Sequence, residues 1–206
     1  MQKEEQAHPR VLGVVGSPRR GGNTDFLVEA VLTGAEKAGA LTEKIILNEL
    51  EIKPCQACNR CRETGSCVHE DDLPELLEKM QRSQVWVLGT PVYWWGPTSQ
   101  FKAFVDRWYG AKHVNFAEKK VILAIPLGGG KSTADHTVGM LTSTLTYLGM
   151  ELLDTLLAPG VNGLGEVREH ASVMQRACHA GRDAVKALLH VEDAKSDESC
   201  LHALET

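Results

Sequence analysis

The sequence predicts an α/β protein, a three-layer sandwich whose five-stranded parallel sheet carries helices on both faces. Two features of the 206-residue chain point there. Five short apolar segments alternate with five stretches in which apolar residues recur at helical spacing, and no internal repeat or low-complexity linker interrupts them. The first apolar segment also runs straight into a glycine-bearing turn and the mouth of a helix, which is where open parallel sheets present ligand sites.

In chain order, Val11 to Val15 is the first strand, apolar enough to be buried on both faces at the centre of the sheet. A helix opens at Asn23 or Thr24 and ends near Gly39, with Leu27, Val31 and Ala35 or Ala38 inward. Thr42 to Leu47 is a second apolar strand. After a cysteine-bearing segment, Asp71-Asp72 opens a helix with Leu73, Leu76, Leu77 and Met80 on one side, and Pro74 suits its first turn, where a missing N–H costs nothing. Gln84 to Gly89 is the third strand, and Pro97 to Tyr109 a helix with Phe101, Phe104, Val105 and Trp108 inward. Val121 to Leu127 is the fourth strand; the helix after it starts near Ser132 and turns Val138, Leu141, Leu145 and Leu148 to the core. Glu151 to Leu157 is an amphipathic fifth strand, Pro159 to Gly165 a loop, and Glu166 to Leu189 the last helix. Right-handed crossovers then gather the loops after strands one, three and four on one rim.

One domain is expected over residues 10–190, between polar segments at 1–9 and 191–206 that read as flexible. A net charge of -5 with few basic clusters argues against nucleic acid or an anionic membrane as partner. The polar opening lacks an apolar signal and no run is long enough to cross a bilayer, so the cytoplasm is the expected compartment. Of six cysteines, Cys178 shares a helical face with Met174, Gly181 and Val185, as a buried structural residue would, and Cys200 reads as a free thiol in the tail.

Chemistry concentrates in four places. In the first turn, Gly16, Gly21 and Gly22 let backbone N–H groups point inward while Ser17, Asn23 and Thr24 add polar side chains; with the free amides of the helix start they make a cup for a phosphate, closed by Arg19 or Arg20. A tight turn with two exposed arginines is the plainer alternative. Neither the dinucleotide fingerprint nor Walker A is present. In the turn after strand three, Tyr93, Trp94 and Trp95 are more aromatics than an ordinary exposed loop carries; stacking on a flat ring ligand explains them, as would core packing or a dimer contact. After strand four, Gly128, Gly129 and Gly130 permit close approach of a ring edge, or simply flexibility. Gly130-Lys131-Ser132 mimics a Walker A ending, but the required first glycine would fall at Ile125, inside the strand.

The fourth place is Cys55-x-x-Cys58-x-x-Cys61 with Cys67 five residues on. Three closely spaced thiolates and a fourth reaching back suit an iron–sulfur cubane; tetrahedral zinc and metal-free thiols stay open. Lys53, Arg60 and Arg62 would moderate the negative charge of such a site, or form a solvated basic face, and nothing in its spacing makes His69 a ligand.

At Gly16, Ser17, Arg19, Asn23 and Thr24 the first turn resembles the phosphate loop of the NAD(P)H-dependent FMN reductases, a flavodoxin-like family; Pro91, Tyr93, Lys102 and Asp106 resemble its second signature. The cysteine spacing is similar to that of the iron–sulfur flavoprotein branch, and the resemblance in fold covers roughly Arg10 to Leu189. It implies that FMN is held by Ser17, Arg19, Gly22, Asn23, Thr24, Pro91, Val92, Tyr93 and Trp94, bordered by Gly128, Gly129 and Gly130. A [4Fe-4S] cluster would sit on Cys55, Cys58, Cys61 and Cys67, and the chain would form a homodimer or dimer of dimers. Lys102, Asp106 and Arg107 read as helix-surface or interface charges. The activity expected is transfer of electrons from NADH or NADPH through FMN to a flavin, quinone or other small acceptor. An electron carrier between ferredoxin and a partner protein is the alternative, and a flavin-binding regulator a third reading.

Overall fold

The computed structural model describes residues 8–189; the expectations for residues 1–7 and 190–206, Cys200 included, lie outside the described residues. Five strands form one parallel sheet: β1 (Arg10–Val15), β2 (Leu41–Ile46), β3 (Val85–Gly89), β4 (Lys120–Leu127) and β5 (Glu151–Pro159), in the order β2-β1-β3-β4-β5. This is the flavodoxin-like order, in which the direction of winding reverses between β1 and β3 and leaves a crevice beyond the strands' carboxyl ends. The middle strand is β3; β1 lies beside it, paired on both edges and buried from Val11 onward.

Period-two alternation along each inner strand feeds two cores. Leu12, Val14, Trp86, Leu88, Leu123 and Ile125 face helices α3 (Leu73–Arg82), α4 (Ser99–Asp106) and α5 (Asp135–Tyr147). Val11, Val15, Val85, Val87, Ile122 and Ala124 face α1 (Asn23–Lys37) and α6 (Ala171–Leu189). The latter two helices cross with their backbones in contact. A Cβ on Gly34 would lie 1.8 Å from the Cys178 carbonyl oxygen, and one on Gly181 would lie 1.9 Å from that of Val31. Cys178 is fully buried at this crossing, as its place in the helical repeat predicts.

Four differences from the sequence reading have local causes. Strand β2, expected to be apolar, is an exposed edge: only Ile45 and Ile46 pack inward, while Glu43 and Lys44 pair with Lys79 and Asp25 at 2.9 Å each. Charged side chains of this kind keep an edge from pairing with another sheet. The helix expected over Pro97 to Tyr109 begins after the Thr98 cap and tightens into a 3-10 turn at Arg107–Gly110. Helices α5 and α6 are likewise preceded by 3-10 turns, Lys131–Ala134 and Glu166–Glu169. A sixth helix, α2 (Arg60–Thr64), lies inside the cysteine segment and stops at Gly65, φ 79°. No helix among the described residues is long and apolar enough to cross a membrane.

Candidate active site

A cleft of about 440 Å³ opens beyond the carboxyl ends of the strands, within the roughly 300–1,000 Å³ typical of small-molecule sites. Ser17, Arg19, Gly22, Asn23, Thr24, Pro91, Val92, Tyr93, Trp94, Gly128 and Gly129 all line it. Gly130 does not. Its carbonyl accepts from the Thr133 amide (3.0 Å) and hydroxyl (2.8 Å), which starts the 3-10 turn, and Thr133 takes the lining position instead.

The first wall is the turn between β1 and α1. Gly22 caps α1 in an extended conformation (φ -84°, ψ 176°) and its carbonyl receives the Phe26 amide at 3.1 Å. The amides of Asn23, Thr24 and Asp25 therefore precede the first intrahelical bond and carry the positive end of the helix. Gly21 sits at φ 61°, so that its amide reaches the Asp25 carboxylate at 2.9 Å. At Gly22 a Cβ would meet the Arg19 carbonyl oxygen at 2.9 Å. Arg19 reaches along the cleft to the Asn162 carbonyl (3.4 Å), whereas Arg20 pairs with Glu49 at 2.8 Å, so of the two arginines only Arg19 closes the cup. The Asn23 side chain is committed elsewhere. Its amide donates to the Gly163 carbonyl and its oxygen accepts from the Val167 amide, both at 3.0 Å, and it clamps the loop after β5 against the turn.

The second wall is a hairpin after β3. Tyr93 and Gly96 exchange both backbone hydrogen bonds (2.8 and 3.0 Å), with Trp94 (φ 50°) and Trp95 (φ 62°) at the tip. Two positive φ angles make this a type I′ turn, a geometry that favours Asn-Gly and is strained for two bulky side chains. Trp94 is 91% exposed. Buried Thr98 ties this wall to the first: it donates to the Gly16 carbonyl and caps α4 by accepting from the Phe101 amide (3.3 Å).

The loop after β5 supplies a wall that the sequence reading left without a role, through Val161, Asn162, Gly163 and Leu164. Its place after a fifth parallel strand was the available signal. Glu166 braces it, accepting from the Gly163 and Asn162 amides at 2.6 and 2.7 Å; these two N–H groups, Gly163 first, hold the carboxyl below its ordinary range. Across the cleft, a Cβ on Gly128 would strike Asn162 Oδ1 at 2.1 Å, so glycine is what lets the two loops meet.

All four motif cysteines line one small cavity of about 30 Å³, walled in part by Ala57, Val68 and Tyr109. Cys55, Cys58 and Cys67 are exposed and Cys61 is half-buried against Gly110, where a Cβ would lie 3.3 Å from the Cys61 sulfur. Among the described residues no group of three or more His, Cys, Asp or Glu is placed to hold a single metal ion. The ends of the segment are buttoned together. Glu51 and Lys53 donate their amides to Asp72 (2.7 Å) and Asp71 (3.0 Å), Asp72 returns its amide to the Glu51 carbonyl (3.0 Å), and His69 meets the Pro54 carbonyl (3.2 Å).

Arg107 is no surface charge. It is 4% exposed and forks onto Asp71 at 2.6 and 3.3 Å while also donating to the Lys53 carbonyl at 2.7 Å. Burial works to raise the Asp71 carboxyl, but the hydrogen bond from Arg107 and that from the Lys53 amide outweigh it and hold the group low. Of the basic residues expected around the cysteines, Lys53 pairs with Glu51 (3.3 Å) and Arg62 lies over the Tyr109 ring (5.1 Å). Lys102 and Asp106 do form an ion pair on the surface of α4.

The chain is 37% identical over 128 residues to an iron–sulfur flavoprotein of Methanocaldococcus jannaschii, covering 62% of this chain and 66% of that one. It is 36% identical over 124 residues to the iron–sulfur flavoprotein of Methanosarcina thermophila, covering 60% and 65%. The matched regions thus span just under two thirds of these relatives' length. In fold it is similar to an NAD(P)H:quinone oxidoreductase from Methanothermobacter marburgensis, with a TM-score of 0.71 at 17% identity over 91% of this chain and 100% of that one. A flavone reductase superposes with a TM-score of 0.68 at 21% identity, over 94% and 68% of the two chains. Residues 9–160, which carry all five strands of the sheet and both glycine loops, match the model of the NADPH-dependent FMN reductases, and the chain belongs to that family.

Proposed function

We propose that the chain is an FMN-dependent NAD(P)H oxidoreductase whose four cysteines hold a [4Fe-4S] cluster and which passes electrons to a flavin, quinone or other small acceptor. One observation carries the flavin reading: a cup of unpaired helix amides and an aromatic hairpin face one cleft from either side of the β1/β3 crevice. Bound FMN supplies a ring that takes up a hydride and gives electrons back singly or in pairs. The protein's part is binding and orientation. The amides of Asn23 and Thr24, with Ser17 and Arg19, would hold the phosphate; Pro91, Val92 and Tyr93 would border the ring, and Gly128 and Gly129 let backbone approach without side chains. No side chain need act as acid, base or nucleophile.

The gathering of all four cysteines in one cavity supports the cluster, as do the names of the relatives. A single zinc ion would need four sulfurs each about 2.3 Å from one point. A zinc knuckle usually pairs two C-x-x-C units across a longer gap, whereas Cys55, Cys58 and Cys61 at this close spacing, with Cys67 five residues on, suit a cubane with one iron per cysteine. Exposure of Cys55, Cys58 and Cys67 favours a second reading, a carrier between ferredoxin and a partner protein. Exposed Trp94, Tyr109 and Tyr147 support a homodimer, which light scattering during gel filtration tests.

Anaerobic purification with flavin, iron, zinc and sulfide analysis, followed by addition of NADH or NADPH, decides among these. Yellow protein whose FMN bleaches with either donor supports the enzyme. Full iron and sulfide with negligible NAD(P)H oxidation supports the carrier. Protein that takes up no FMN under anoxic titration overturns both.

A further inference from the structure

We propose that Arg107 is the positioning residue of the four-cysteine site, holding the cysteine loop closed before any metal arrives; the proposal rests on the reading of that site as a cluster site. The loop itself has little to fold around. Three of its cysteines are exposed and α2 buries none of its residues, so apolar packing does not set where the sulfurs stand. What fixes the loop is its base. The guanidinium of Arg107 spans the incoming strand at the Lys53 carbonyl, two residues before Cys55, and the outgoing strand at Asp71, four residues after Cys67.

Its own backbone leads within three residues to Gly110, the surface against which Cys61 rests. One side chain thus references both ends of the loop, and through Gly110 its middle, to the rigid end of α4. A planar five-donor fork is what this requires, because it must grip two carboxylate oxygens and a carbonyl at once; a lysine ammonium is a point charge that cannot reproduce the fork. Asp71 cannot drift, since it also accepts from the Lys53 and Leu73 amides at 3.0 and 3.3 Å.

The test uses the full-length, anaerobically reconstituted protein carrying Arg107→Gln, Arg107→Lys, or the paired change Arg107→Met with Asp71→Leu. The paired variant matters because removing one partner strands a buried charge, whereas apolar residues of similar size in both places commonly leave stability unchanged. Hydrogen exchange of the Glu51 and Asp72 amides, which pair with Asp72 and Glu51 and not with Asp71, is measured in iron-free protein, and iron, sulfide and the cluster's midpoint potential after reconstitution. Expected are at least tenfold faster exchange in Arg107→Gln and in the paired variant, several-fold less iron and sulfide, unchanged FMN content, and a more negative midpoint for residual cluster, with Arg107→Lys restoring the potential better than the occupancy. A folded paired variant with parental exchange, iron and potential overturns the proposal, and it remains the deciding variant if Arg107→Gln does not fold. If the parent itself binds no iron, the cluster reading fails; the exchange comparison in iron-free protein still decides whether Arg107 closes the loop.

Discussion

At the scale of single residues, the cleft depends on backbone geometries that side chains resist. Gly22 must sit where a Cβ would press on the Arg19 carbonyl oxygen, and backbone on that side has nowhere to yield. Gly22→Ala is therefore expected to splay the amide cup and weaken FMN binding at least tenfold, about 1.4 kcal/mol, with the fold intact; fluorescence titration of the FMN-free protein measures it. The opposite trade holds at Trp95, where a bulky residue occupies a left-handed position (φ 62°). Strain of this kind is worth about 1–3 kcal/mol per residue. Trp95→Gly should then raise stability toward urea by about 1 kcal/mol while loosening FMN, and unchanged stability would mean that the turn is not strained. Sequence made the first kind of residue legible, because glycines before a helix have few other uses. It could not make Asn23 legible as a clamp, since its partner Gly163 lies 140 positions away and either role uses the same amide.

At the scale of elements, the loop after β5 shows why one wall of the cleft escaped sequence reading. Pro159 to Gly165 has no aromatic cluster and no phosphate-loop pattern, and it lines the cleft only because Glu166 folds it back and Asn23 pins it. Those bonds give it a pH signature. The Glu166 carboxyl is held below its ordinary value by the Gly163 and Asn162 amides, so its contribution is present above the unfolded value near about 4.3 and is lost as pH falls through the lower folded value. FMN release, followed by flavin fluorescence, should accordingly steepen on acidification below that range, and Glu166→Gln should flatten the profile while weakening retention at neutral pH. A second element-level expectation concerns the α1–α6 crossing. The 3.6-residue repeat marked this face as core, but not that backbone meets backbone there. Gly34→Ala, which puts a methyl 1.8 Å from the Cys178 carbonyl oxygen, should cost about 3 kcal/mol of stability in urea unfolding.

For the whole molecule, the architecture was readable because parallel β-α units leave little choice: with strands and helices alternating, every strand ends on the same side and every loop that matters meets there. What the alternation could not convey is how the two candidate sites are joined. The phosphate turn reaches the segment after β2 through Arg20 and Glu49 at 2.8 Å, and α4 reaches it through Gln100 and Asn48 at 3.2 Å, while α4 runs from the Thr98 cap beside Gly16 to Arg107 beneath the cysteines. The two side-chain links are exposed, whereas both ends of α4 are buried at Thr98 and Arg107. Surface pairs contribute little, about 0–1 kcal/mol each, so the sites should share a scaffold without sharing much binding energy. Cys58→Ala is thus expected to abolish iron incorporation and leave the FMN dissociation constant within about twofold, and Gly22→Ala to do the converse. Absorbance, iron analysis and flavin titration on the two variants and their combination test this directly: additive losses match two independently held cofactors, and loss of FMN on removing a single cysteine would mean that the cysteine loop builds part of the flavin cleft.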